Sequence, residues 1–281
     1  HKENPDGGYG IHLHPAAKID GMQFDGSSWF EVTNSNSLWS EKYTIEGWIK
    51  IDEVSSNSTW EGIFGRGFFS GQGRNLMLWY NRSGRYLHHC NWVLRSNKTD
   101  SQQKNTTHNS EFGSIDETSW IHYAIVDDGS KRTSYINGEK MAEQDISGTR
   151  KKQSGIFQIG ATENNGFNGC LSDLRIWSKP KSQKGVKRDM YRDLSGDESG
   201  LLANFTFNSI GQCIDKGPKS YKTNLKVRSG EPADSRPDPC NGPKPHFKVE
   251  ARISQRGKEL HDALVSTELF PQSDWHQVSC R

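Results

Sequence analysis

The strongest constraint on this chain is a recurring short run of alternating apolar and polar residues, closed each time by a glycine- or asparagine-rich turn. The clearest run is Tyr43-Thr44-Ile45-Glu46-Gly47-Trp48-Ile49-Lys50-Ile51. A strand sends successive side chains to opposite faces, so Tyr43, Ile45, Gly47, Ile49 and Ile51 share one face and Thr44, Glu46, Trp48 and Lys50 the other. Residues 76–80 and 85–89 read as a hairpin turned by Asn81-Arg82-Ser83-Gly84. Residues 120–127 and 134–136 read as a second pair, joined by Asp127-Asp128-Gly129-Ser130 and followed by Asn137-Gly138. Further strands are read at 156–159, 171–177 and 202–207, the last with Ala203, Phe205 and Phe207 on one face. Residues 95–110 lack periodicity and read as a long surface loop. Helix signals are confined to 182–194, with Met190, Tyr191 and Leu194 as an apolar stripe, and weakly to 258–264. The pattern is that of an all-β chain with one or two short helices.

Only 31% of the residues are hydrophobic, but 10% are aromatic, so the interior has to be filled by a few large rings. No stretch reaches the roughly 20 apolar residues of a membrane span, and nothing at His1 reads as a signal peptide; an exported form would have lost its signal. A formal net charge of +2 gives a weak overall field. One denser basic stretch, Lys179, Lys181, Lys184, Lys187 and Arg188, reads first as a solvated connector, though its spacing could also meet a sulfated glycan or nucleic acid. No basic platform interleaved with aromatics is present, which argues against nucleic acid as a partner.

The five cysteines, Cys90, Cys170, Cys213, Cys240 and Cys280, show no zinc-type pairing, and their scatter suits an oxidising compartment. Glycosylation sequons stand at Asn57, Asn81, Asn97, Asn105 and Asn204. The sequon at Asn204 is accessible only where its sheet face is solvated. Five of the ten prolines fall between Glu231 and Pro245, which marks a linker or rigid arm. The expected organisation is an N-terminal arm over 1–18, a sandwich over 19–228, a Pro-rich linker over 229–245 and a C-terminal extension over 246–281.

Five motifs in order resemble the laminin-G-like family across residues 19–225. They are Phe24-Asp25-Gly26 with Trp29-Phe30-Glu31-Val32 and the 43–49 run; Trp120-Ile121-His122-Tyr123-Ala124-Ile125-Val126 with Asp127-Asp128-Gly129; Tyr135-Ile136-Asn137-Gly138; Gly166-Phe167-Asn168-Gly169-Cys170-Leu171-Ser172-Asp173-Leu174-Arg175-Ile176-Trp177; and Gly200-Leu201-Leu202-Ala203-Asn204-Phe205-Thr206-Phe207. The resemblance implies a two-sheet antiparallel jelly-roll sandwich of the concanavalin-A-like kind. Trp48, Trp120 and Trp177 are expected to pack its core, with Trp48 or Trp120 between the sheets. It also implies that Cys170 is tied to a cysteine near the domain end, Cys213 or Cys240. The tail sequence Ser273-Asp274-Trp275-His276 is similar to the Ser119-Trp120-Ile121-His122 strand entry. It reads either as the start of a further domain or as a tail packed back through a Cys240–Cys280 bond.

Glucanases share this sandwich, so catalysis has to be weighed. Retaining glycosidases need two carboxylates across one cleft. Glu46, Asp52 and Glu53 lack the required spacing, and His-Glu-x-x-His and Gly-x-Ser-x-Gly motifs are absent. His88-His89-Cys90 alternates faces on a strand and makes a poor metal set. No catalytic residue is assigned. The resemblance implies Ca²⁺ in rim loops for many relatives, with Asp25, Asp127, Asp128 and Glu163 with Asn164 and Asn165 as candidates; turn capping is the competing role for these carboxylates. A sugar site is expected from aromatic stacking with Trp60, Arg74, Trp79, Tyr80, Tyr86, His88 and Trp92. The expected function is a secreted or cell-surface recognition or adhesion module for a glycan or extracellular glycoprotein. The alternatives are the non-catalytic N-terminal part of a secreted hydrolase or protease, and a structural ectodomain spacer.

Overall fold

In the computed structural model the described residues are 10–12, 20–53, 59–66, 74–91, 93–94, 106–109, 115, 119–146, 148–150, 155–162, 165–229, 237–243, 250–252, 254–255 and 258–259. They fall into two units, Lys18–Pro243 and a second formed by His1–Ala17 with Lys244–Arg281. The second unit contributes an antiparallel pairing of Gly10–His12 with Glu250–Arg252, and a hairpin of Ser254–Gln255 with Lys258–Glu259. Lys258 and Glu259 are therefore strand residues, and not the start of the helix expected at 258–264.

The first unit is built from strands β1 (Asp20–Asp25), β2 (Ser28–Val32), β3 (Tyr43–Ile51), β4 (Trp60–Arg66), β5 (Asn75–Asn81), β6 (Tyr86–Asn91), β7 (Thr106–Asn109) and β8 (Ile121–Asp127). They are followed by β9 (Lys131–Ile136), β10 (Glu139–Asp145), β11 (Phe157–Ile159), β12 (Asn168–Trp177), helix α1 (Gln183–Asp189), β13 (Leu201–Phe207), β14 (Cys213–Asp215), β15 (Thr223–Val227) and β16 (Asp238–Asn241). Two antiparallel sheets result. The larger, nine-stranded sheet runs β10-β9-β8-β3-β12-β13-β14, with β1 paired to both β12 and β16. The smaller, seven-stranded sheet runs β15-β2-β11-β4-β5-β6-β7. The jelly-roll sandwich expected from the resemblance is the fold observed.

Strand β3 spans the run read from its alternation, and pairs with β8 and β12 along its length. Its inward residues Tyr43, Ile45, Ile49 and Ile51 join a core of rings from both sheets. Phe24 meets Phe30 edge-on at 6.2 Å, Phe64 stacks on Phe157 at 6.1 Å, and Phe157 on Phe205 at 6.4 Å. A few aromatic rings thus fill the gap between sheets, as the low apolar content requires.

Three readings are corrected. Residues 106–109, inside the expected 95–110 loop, form edge strand β7 against β6. Trp48 and Trp177, each 3% exposed, are buried outside the sandwich and not between its sheets. They lie on the outer face of the larger sheet, where the segment after β12 covers them: Trp48 Nε1 donates to the Met190 carbonyl at 3.0 Å, and Trp177 clusters with Leu194 and Leu201. Trp120 is only half-buried and lies over Gly21, close enough that a Cβ there would be 3.1 Å from the indole. Helix α1 is short, and presents Val186 to Ala124, Val126 and Tyr135 on that same outer face.

Strand β12 carries a bulge between Ser172 and Arg175, with Asp173 in the left-handed region at φ 54°. The extra residue turns Leu174 into the core while leaving Ser172 and Arg175 outward. Arg175 then donates to the carbonyls of Asp189 and Arg192, both at 2.6 Å, and to the Asp173 carboxylate. The bulge is what pins the covering segment to the sheet.

Candidate aromatic binding face

Strands β4, β5 and β6 lie side by side in the smaller sheet, and their register sets which candidate residues meet. Trp60, Asn81 and Tyr86 form one cross-strand row, and Gly62, Trp79 and His88 the next. Directly opposed residues share a face, so Trp60, Trp79, Tyr86 and His88 all project from the outer face. Trp60 meets Tyr86 edge-on at 6.0 Å and His88 at 5.2 Å. Trp60 also packs against Met77, Trp79 and Cys90. The Arg74 guanidinium lies 5.9 Å from the Trp79 ring and donates to the Cys90 sulfur at 3.9 Å. Burial pushes the Cys90 thiol up, against the hydrogen bond from Arg74.

Exposure is graded across this face. Met77, Trp79 and Cys90 are buried, whereas Trp60, Tyr86 and His88 are half-buried. The face is dry at its centre and open at its Trp60–Tyr86 end. Such rings offer an apolar surface with polar tips, which suits the mixed chemistry of a pyranose. Gly62 is required in this row because a Cβ would lie 1.9 Å from Thr162 Oγ1.

Tyr80 is the exception among the candidates: it neighbours Trp79 on the strand, so it points the opposite way. It is fully buried in the core, with the Arg82 guanidinium 5.4 Å from its ring, and cannot touch a ligand on the outer face. His89 likewise faces inward and hydrogen-bonds the Tyr43 hydroxyl at 2.9 Å. Trp92 lies outside the described residues.

Among the described residues, the calcium candidates Asp25 and Asp127 stand far apart. Asp25 stands opposite Asn168 at the Ile51 end of β3, and Asp127 stands opposite Tyr43 at its other end. Eight residues of strand put them roughly 27 Å apart. Asp25 Oδ1 caps its own turn through Ser27 N at 2.9 Å. Asp128 Oδ1 accepts from the Ser130 and Lys131 amides at 2.8 and 2.7 Å, and these bonds hold its carboxyl below the usual range. Asp127 is buried and ion-paired with Arg132 at 3.0 Å. Ca²⁺ needs six to eight oxygens around one centre, and these three residues do not fit that demand. Glu163 and Asn164 lie outside the described residues.

Cys90, Cys170, Cys213 and Cys240 are thiols. Cys213 points into the core, whereas Cys170 stands opposite Gln23 and donates to its Oε1 at 2.8 Å. Cys240 stands opposite Gly21, so β1 runs between it and Cys170. Gly21 has no side chain, so the Cys240 sulfur reaches over β1 into hydrogen-bonding contact with the Cys170 thiol; neither expected bridge from Cys170, to Cys213 or to Cys240, is formed. Cys280 lies outside the described residues.

Two sequons are corrected by burial. Asn204 is 1% exposed, leaving no room for a glycan on the folded chain. Asn81 is 6% exposed and its Oδ1 accepts from the Gly84 amide at 2.6 Å, so it serves the hairpin turn. Asn57, Asn97 and Asn105 lie outside the described residues.

Residues 24–187 match the family model of the concanavalin A-like lectin/glucanases superfamily, of the laminin-G type. The chain belongs to that family. Among solved structures the fold is similar to a "putative carbohydrate binding protein" from Bacteroides ovatus, at 20% identity and a TM-score of 0.52, over 79% of this chain. The chain spans 62% of the length of that protein. It is also similar to the CBM40 of a Ruminococcus gnavus IT-sialidase, at 16% identity and a TM-score of 0.46 over 60% of this chain and 95% of that one. A pentraxin from Limulus polyphemus aligns at 14% identity and a TM-score of 0.41, over 79% of this chain and 94% of the pentraxin. No curated protein sequence matches.

Proposed function

We propose that this chain is an extracellular, non-catalytic carbohydrate-recognition module, and that it holds its glycan against the open end of the aromatic face at Trp60, Tyr86 and His88. The observation that carries this reading is the register of β4, β5 and β6, which gathers three half-buried rings into one surface patch. Stacking a sugar ring on an indole or phenol face removes apolar area from water, at about 25 cal/mol per Å². The Tyr86 hydroxyl and His88 imidazole add hydrogen-bonding groups at the rim. The family to which the chain belongs is named for lectins and glucanases, proteins that handle sugars.

A non-enzymatic reading is supported by the fate of the carboxylates. Glu46 is buried in an ion pair with Lys181, Asp127 in one with Arg132, and Glu61 receives Arg82 at 2.7 Å. Each is committed to structure. A glycan array, probed with the wild-type chain and with Trp60→Ala in calcium and in chelator, tests the proposal. Binding that requires Trp60 and survives the chelator supports it.

A further inference from the structure

Trp60 and Tyr86 stand in one cross-strand row with Asn81 between them, so their backbones are two strand spacings, about 9–10 Å, apart. Their ring centroids are only 6.0 Å apart, so the two side chains lean towards each other above Asn81, which is buried beneath them. His88, two residues further along β6, reaches the same indole at 5.2 Å. The indole plane is inclined at 85° to Tyr86 and at 71° to His88. A sugar ring lying flat on Trp60 therefore cannot lie flat on Tyr86 or His88 as well. Successive units of an extended chain need ring faces level with one another, and these three rings offer a single stacking face set in a corner.

The corner is bounded on its inner sides. The next row of the same face holds Trp79, which is 3% exposed, and beyond it Met77 and Cys90 are buried completely. A chain has no accessible ring to follow in that direction. On the β4 side the buried Thr162 fills the space above Gly62, in the same row as Trp79. The Tyr86 ring is propped by the hairpin turn, where a Cβ on Gly84 would lie 2.3 Å from Tyr86 Cε1. That turn is the open side: Ser83, Gly84 and Arg85 are exposed. The stacking face thus lies at the end of the sheet, with solvent in front of it and buried side chains behind.

Resting on the reading of this face as a carbohydrate site, we infer that it takes one sugar residue at the end of a glycan chain and is indifferent to the length of chain behind it. Trp60 supplies the stacking face, the Tyr86 hydroxyl and the His88 imidazole supply hydrogen-bonding groups beside it, and the remainder of the chain leaves over the exposed turn. The selection is steric. An internal residue carries a glycosidic bond on both sides, and one of the two would run into the buried Trp79 row or the steeply inclined Tyr86 ring. A chain end is present once in each molecule, so lengthening the chain adds neither a new stacking contact nor a new place to bind.

The test titrates oligosaccharide ladders of one to six units, from the malto, cello, chito and galacto series, calorimetrically into the full chain and into Trp60→Ala. Insoluble cellulose and chitin are added as flat, extended surfaces. In any ladder that binds, affinity is expected to change less than about fivefold from two units to six, and Trp60→Ala to weaken every length at least tenfold. Neither insoluble polymer is expected to retain the chain. Binding that needs Trp60 but strengthens fivefold or more from two units to six, or retention on cellulose or chitin that Trp60→Ala abolishes, would overturn the chain-end site and leave the aromatic-face reading standing. Binding that Trp60→Ala leaves unchanged, or a folded wild type that binds none of these probes, would overturn both.

Discussion

The Lys181 ammonium lies 2.6 Å from a Glu46 carboxylate oxygen, and the two side chains, 135 residues apart, are 5% and 0% exposed. The same carboxylate oxygen accepts from Trp177 Nε1 at 2.9 Å, and Lys181 lies 4.3 Å from the Trp177 ring. One buried ion pair thus fastens the segment leading into α1 onto β3. Removing one member leaves the other buried without a counter-ion, which costs about 3–5 kcal/mol. Lys181→Met is expected to lower unfolding stability by that amount in a urea titration. Adding Glu46→Gln is expected to cost less than the sum of the single changes, because the neutral amide needs no counter-ion. Strict additivity would contradict the coupling.

Acid stability follows from the same cluster. Burial raises the Asp189 carboxyl, but hydrogen bonds from Arg188 and Lys181 outweigh it and hold the group at about 2, against an ordinary 3.8. Its folded value is depressed, so its stabilisation is present above about pH 3.8 and lost as pH falls towards 2. Glu46 works in the opposite sense: burial raises it above 4.5 against Lys181 and Arg175, so its contribution declines as pH rises through the folded value. Asp189→Asn is expected to be less stable than wild type at pH 7, with the gap closing between pH 4 and 2. A gap that stays constant over that range would count against this account.

His122 is buried beside Trp48 at 5.1 Å, and burial, then Arg175 and Lys181, push its imidazole well below 6.5. The unfolded chain takes up that proton first, so His122 costs stability as pH falls below about 6.5. Its NMR signals are expected to show no titration between pH 5 and 8. A midpoint near 6.5 would mean that the covering segment leaves the sheet.

Gly160 sits at φ 92°, and a Cβ there would lie 2.2 Å from Phe24 Cε1. Alanine would meet both a left-handed backbone and a core ring. Gly160→Ala is expected to destabilise by about 2–4 kcal/mol in thermal or urea unfolding. A loss below about 0.5 kcal/mol would show that Phe24 yields more readily than its packing implies.

What the sequence disclosed depended on whether local pattern or tertiary placement decides the outcome. Strand β3 was legible because its alternation is unbroken from Tyr43 to Ile51. Strand β4 was not, because two register shifts around Gly62, Phe64 and Arg66 break the period of two. Strand β10 was missed because it is a largely exposed edge whose polar residues carry no apolar signal. The aromatic face was partly legible: Trp60, Trp79, Tyr86 and His88 come together through cross-strand register, while Trp79 and Tyr80 cannot share a face. Trp48 was placed on the correct face of its strand by alternation, but only the tertiary fold shows that Met190 and Tyr191 cover it. The basic stretch was visible as charge. Its partners Glu46 and Glu139 lie far away in sequence, so the split between paired and open lysines was not.

The measurement that bears most directly on the central claim is glycan binding by Trp60→Ala, alongside Tyr86→Phe and the folded wild type. The wild type is expected to bind a defined set of glycans, in calcium and in chelator alike. Trp60→Ala is expected to lose at least tenfold in affinity for that set with its near-UV spectrum otherwise wild-type, and Tyr86→Phe to lose a smaller factor through its hydroxyl alone. Wild-type binding that Trp60→Ala leaves intact, or a folded wild type that binds no glycan under either condition, would contradict the account.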